Sequence, residues 1–171
     1  PRRTPLILGA LAAALAFAGA PAWAQQAKIK VGLMLPYTGT FAALGVAITN
    51  GFKLAVEERG GKLGGREIEY IVVDDESNPA KAPENANKLI QRDKVDVIIG
   101  TVHSGVALGM AKVIREAGTL WINPNAGAGA VTGALCAPNI FRTSFSNWQT
   151  TYALGKVLKA RGHKNAVFIT W

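Results

Sequence analysis

The chain has 171 residues, 49% of them hydrophobic, one Cys and a formal net charge of +8. That apolar share excludes a disordered chain, and a single Cys excludes a fold stapled by disulfides. The length suits one domain or a little more, and the charge raises nucleic acid or an anionic membrane as partners until its location is known.

Arg2 and Arg3 precede an apolar run from Leu6 to Gly19, followed by Pro21 and Ala22-Trp23-Ala24. A basic start, an apolar core and a small-residue exit are the three parts of a secretory signal. The run is shorter than the roughly 18 residues that span a bilayer. Residues 1–24 are therefore expected to be a signal peptide cleaved after Ala24. The Arg pair hints at twin-arginine export, weakened by Thr4-Pro5. Export leads to an oxidising compartment, where Cys136 is an odd thiol. At the other end, Ala166 to Trp171 reads as a buried strand, so the chain is expected to be a fragment.

Ile29 to Leu35 reads as a central strand. Leu44, Ala47, Ile48, Gly51, Phe52 and Ala55 fall on one face of a helix. Gly60 to Gly65 forms a tight turn, and Glu67 to Asp74 is a second strand. Ala82, Ala86, Leu89 and Ile90 give a second helical face. Its start is ambiguous, because Asn78-Pro79 suits a cap while Pro83 would remove a helical hydrogen bond. Val95 to Gly100 is a third strand. Ser104 is expected to cap a third helix that Gly118 closes, and Leu120 to Ile122 is a fourth strand. After a Gly/Ala/Pro-rich stretch, Ile140 to Thr143 leads to a fourth helix over Gln149 to Arg161. Strands alternating with helices across short links predict an α/β fold, a parallel sheet with helices on both faces.

In such a sheet ligands bind at the carboxyl ends of the strands. Four loops qualify: Pro36 to Gly39, Asp74 to Asn78, Thr101 to Ser104 and Asn123 to Gly127. The third joins a strand to a helix N-terminus, whose free N–H groups and partial positive charge suit a carboxylate. Ser104 adds a hydroxyl, or else it only caps its own helix. In the fourth, Asn125 offers a donor and an acceptor, and glycines let the backbone approach a ligand. Asp74-Asp75-Glu76 reads as a solvated loop rather than a metal site. His103 packs beside the pocket, Tyr37 lies in the first loop, and His163 sits in a surface turn. Phe145, Trp148 and Tyr152 either wall a cleft or pack at a junction. No dinucleotide fingerprint, phosphate loop, zinc-protease or nucleophile-elbow motif occurs, so no enzyme, cofactor or metal is expected.

Ile29 to Gly45, Asp74-Asp75, Gly100 to Gly105 and Ile122 to Thr132 together resemble type I periplasmic binding proteins of branched-chain amino-acid ABC transporters. The resemblance runs from about Lys28 to Trp171. It implies two α/β lobes that close on a ligand, with residues 25–141 as a partial first lobe and 142–171 as the truncated start of the second. It implies a periplasmic protein that hands a small carboxylate to a membrane permease. Nucleic acid and membrane insertion after signal cleavage have no part in this.

Carried over by motif, Ser104 binds the ligand carboxylate, and Asn125 and Ala126 touch it through backbone. Gly127 stands where amino-acid binders place a Thr that holds the ammonium, and Leu44 where they often have a Tyr. His103 and Tyr37 complete the expected binding set. Ser77 and His103 hold positions that some members bridge by a disulfide. Keeping the carboxylate anchor without the ammonium anchor favours an acid lacking an α-amine, and the Asn125 to Gly129 loop resembles that of binders of aromatic acids. The same fold also serves as the sensing domain of receptors, which is the alternative. A secreted Rossmann-type enzyme is a third reading, disfavoured by the missing motifs.

The charge then divides. Removing Arg2 and Arg3 leaves +6, and residues 142–171 hold five basic residues and no acidic one. Residues 25–141 carry only +1, so the net charge gives no argument for nucleic acid.

Overall fold

The computed structural model describes residues 27–167. The expected signal peptide lies outside them, as do the last four residues of the expected terminal strand. Ala166 and Val167 are described, and they form no strand.

The elements are β1 (Ile29–Leu35), α1 (Ala42–Glu57), β2 (Lys62–Leu63), β3 (Arg66–Asp74), α2 (Ala82–Asn87), β4 (Val97–Ile99), α3 (Ser104–Ala117), β5 (Leu120–Asn123), β6 (Ile140–Arg142) and α4 (Asn147–Ala160). The sheet order is β2-β3-β1-β4-β5-β6. All neighbours pair parallel except β2, which pairs antiparallel with β3. Gly64 and Gly65 make the turn between β2 and β3 with φ of 55° and 78°, a conformation that favours glycine.

The two faces of the sheet are covered differently. Met34, Ile98, Trp121 and Ile140 point to α2, to the π-helical turn Lys88–Arg92 that follows it and to α3, where Ala82, Leu89, Val106, Met110 and Ile114 complete a continuous core. Val31, Leu33 and Ile99 point the other way, towards Phe52 of α1. Each fully buried Leu, Ile or Met contributes about 1.5–3 kcal/mol. Gly32 lies on the α2 side, where a Cβ would stand 3.1 Å from Leu89 Cδ1, so the missing side chain lets the helix approach. Among the described helices none is long and apolar enough to cross a membrane.

The face of α1 differs from its periodicity. Gly45, Thr49 and Val56 are buried, whereas Leu44 is 43% exposed. The helix is rotated because Gly45 packs against the backbone of the preceding loop, where a Cβ would lie 1.8 Å from the Pro36 carbonyl oxygen. Backbone contact outranks apolar count here, and it turns Leu44 outward. The ambiguous start of α2 resolves into two short turns. Asn78 Oδ1 accepts from Ala80 N–H and caps a 3-10 turn over Pro79–Lys81, and Pro83 then sits in the first turn of α2. Each proline thus occupies a first turn, where its missing N–H costs nothing.

Candidate functional site

The chain runs from β1 to β3 on one side of the sheet and then returns to β4 on the other side of β1. Such a reversal parts the loops at the carboxyl ends and opens a crevice between them. A cleft of about 740 Å³ lies there. Phe41 and Leu44 line it after β1, Val102 to Gly105 after β4, Asn125 and Gly127 after β5, and Phe145, Asn147, Thr150 and Thr151 after β6.

Four of the expected site residues come together: His103, Ser104, Asn125 and Gly127. Two do not line the cleft. Ala126 is fully buried, its N–H donates to Asn123 Oδ1 at 2.9 Å and its carbonyl accepts from Asn123 Nδ2 at 2.8 Å. The Tyr37 hydroxyl lies 2.7 Å from Thr49 Oγ1 on α1, and burial pushes the phenol above its ordinary pKa. Of the aromatics, Phe145 lines the cleft. Trp148 and Tyr152 instead stack on each other along α4, with ring centroids 4.7 Å apart.

The cap of α3 is a correction. The N-cap is His103, not Ser104: His103 has extended backbone, and its Nδ1 accepts from Gly105 N–H at 3.1 Å. Ser104 is the first helical residue, so its hydroxyl is not spent on the cap. It stands at the positive end of the helix, where an anion is favoured. Replacing His103 by Ala leaves that N–H without its side-chain acceptor and is expected to cost about 1 kcal/mol in a urea melt, with His103→Asn recovering most of the loss.

The loop after β3 does not line the cleft; it braces the loops that do. Asp74 accepts from Tyr37 N–H at 2.9 Å, from the Thr38 hydroxyl at 2.7 Å and from Glu76 N–H at 2.9 Å. Burial pushes its pKa up, but these hydrogen bonds together hold it below the usual carboxylate value. Asp75 is fully buried and accepts from the Thr101 hydroxyl and from Ser77 N–H. Burial pushes its carboxyl up, against those bonds and against His103. Asn123, also fully buried, templates the Asn125-Ala126 turn with its side chain.

The reading of Asp74-Asp75-Glu76 as a solvated loop is corrected at Asp75, which is fully buried, and neither Asn123 as a buried brace nor Asn147 as a lining residue of the cleft was singled out by the sequence. Asn147 had a signal: Ser146-Asn147-Trp148-Gln149 has the capping-box spacing, and Gln149 Oε1 accepts from Ser146 N–H at 2.6 Å. The bracing roles of Asp75 and Asn123 had none, because the Thr101 partner of Asp75 is 26 residues away and the contacts of Asn123 are set by a turn.

A family model described as periplasmic binding protein matches residues 28–170. The chain belongs to the periplasmic binding protein family. An ABC transporter solute-binding protein from R. palustris, solved in complex with benzoate, is 57% identical; the match covers 80% of this chain and 38% of that one, with a TM-score of 0.77. Another, from Rhodopseudomonas palustris BisB5 in complex with 3,4-dihydroxy benzoic acid, is 35% identical over 79% of this chain and 37% of that one, with a TM-score of 0.72. The Leu/Ile/Val-binding protein BraC3 of Rhizobium johnstonii is 37% identical over 71% of this chain and 32% of its own length. The chain therefore spans less than half the length of these relatives. Family members of this kind are binding components of transporters, and the fold expected for a type I periplasmic binding protein is the one observed.

Proposed function

We propose that the chain is the N-terminal part of a periplasmic solute-binding component of an ABC importer, and that it takes an aromatic carboxylate. Residues 25–141 are a partial first lobe and 142–171 the truncated start of the second; the ligand is held between the two lobes of the full-length protein and passed to a membrane permease.

The composition of the cleft carries this reading. Phe41, Leu44, Val102 and Phe145 offer apolar surface for a ring. Ser104, the first residue of α3, offers its hydroxyl and its N–H as donors for a carboxylate. None of the lining residues is acidic, so the described part of the cleft offers no charge to an ammonium group. The 57% identical relative in complex with benzoate supports the same ligand class.

Calorimetry on the full-length protein tests it. Benzoate is expected to bind and leucine to bind much more weakly; the reverse order would overturn the reading. Ser104→Ala is expected to weaken benzoate binding by about 0.5–1.5 kcal/mol, and more where the lost bond is charge-assisted. Unchanged affinity would mean that Ser104 does not touch the carboxylate.

A further inference from the structure

We infer that Asn147 is a specificity-determining residue, whose neutral amide contacts the ligand beside its carboxylate and excludes an ammonium there. The inference rests on the aromatic-acid reading above.

Asn147 is the first residue of α4 and is pinned against the loop after β5. Its N–H donates to the Gly127 carbonyl at 2.8 Å. Its side chain fills the space above Gly127: a Cβ on Gly127 would lie 2.1 Å from Asn147 Oδ1 and 2.8 Å from its Cγ. The two residues thus form one wall of the cleft, in which the only side chain is the amide of Asn147.

The other polar groups of α4 in the cleft are committed. The hydroxyls of Thr150 and Thr151 both donate to the Asn147 carbonyl, at 3.0 and 2.8 Å. Ser144, just before the helix, donates to the Asn125 carbonyl at 3.2 Å. The amide of Asn147 is left as the polar side-chain group that α4 presents to the cleft that Ser104 also lines. An amide supplies a donor and an acceptor without charge. It can hydrogen-bond a carboxylate or a ring hydroxyl, but it cannot neutralise a buried ammonium, which needs an ionic partner.

Asn147→Asp tests this in the full-length protein, because it keeps the shape, replaces the amide donor by an acceptor and adds a negative charge at an exposed position. Benzoate affinity is expected to fall by about tenfold or more, the ratio of leucine to benzoate affinity to rise, and the melting temperature to stay the same. Asn147→Ala should weaken benzoate several-fold. If the parent protein binds benzoate and both variants match it within about twofold, this inference fails alone. If the parent binds leucine and not benzoate, the inference and the reading beneath it fail together.

Discussion

Gly100→Ala is expected to destabilise the protein by about 3 kcal/mol or more, one of the largest effects of a single methyl group among the described residues. A Cβ at this position would stand 2.0 Å from the Met34 carbonyl oxygen and 3.0 Å from its carbon. Both are backbone atoms of the central strand β1, so neither can yield as a flexible side chain would. The added methyl has to push β4 off β1, or distort the loop that starts there. That loop carries His103 and Ser104, so ligand affinity is expected to fall together with stability. Gly51→Ala is the control. Gly51 lies within α1 with nothing within 4 Å of its Cβ position, and alanine there should stabilise by about 0.5–1 kcal/mol. Urea unfolding of the two variants against the parent measures both; equal and small effects would mean that β1 and β4 can separate locally at little cost.

Asp75 gives the second large effect, and here charge and hydrogen bonding separate. Asp75→Ala leaves the buried Thr101 hydroxyl and Ser77 N–H without their acceptor, at a cost of about 2–4 kcal/mol. Asp75→Asn keeps both contacts: the amide oxygen accepts from Ser77, and the amide N–H₂ donates to the Thr101 oxygen. It also removes a burial cost. The Asp75 carboxyl is pushed up by burial, so the folded state binds its proton more tightly than the unfolded chain does. The contribution of this proton to stability is complete below the unfolded carboxylate value of about 3.9 and is lost as pH rises through the raised folded value. The Asn variant is therefore expected to lose that part of the pH dependence and to match the parent near neutrality within about 1 kcal/mol. Unfolding free energies measured from pH 4 to 8 decide the matter. An Asn variant as unstable as the Ala variant would show that the ionised carboxylate itself holds the loop.

Asp75 and Gly100 also show where sequence reading stops. The strands were legible because their apolar runs must be covered on both faces, and Gly118, with φ of 70°, closes α3 as its position predicts. The rotation of α1 was not legible. It is set by the contact between Gly45 and Pro36, and Leu44, Ala47 and Ile48 have no local means of showing it. The cap of α3 was misread for a similar reason. Ser is the commoner N-cap, but the extended backbone at His103 places the helix start one residue later and gives the cap to the imidazole.

For the site, the sequence by itself determined the loops at the carboxyl ends of β1, β4 and β5, the helix N-terminus that suits an anion, and the presence of Ser104 and Asn125 within them. Those features are local: each follows from a strand ending, a glycine or a small polar residue at a fixed offset. Only the tertiary structure decided that the β3 loop braces the cleft instead of lining it, that Ala126 and Tyr37 face away from it, and that Asn147 stands over Gly127. The physical reason is that these placements depend on contacts between segments distant along the chain. The order of strands about β1 brings those segments together, and no periodicity along the chain encodes that order.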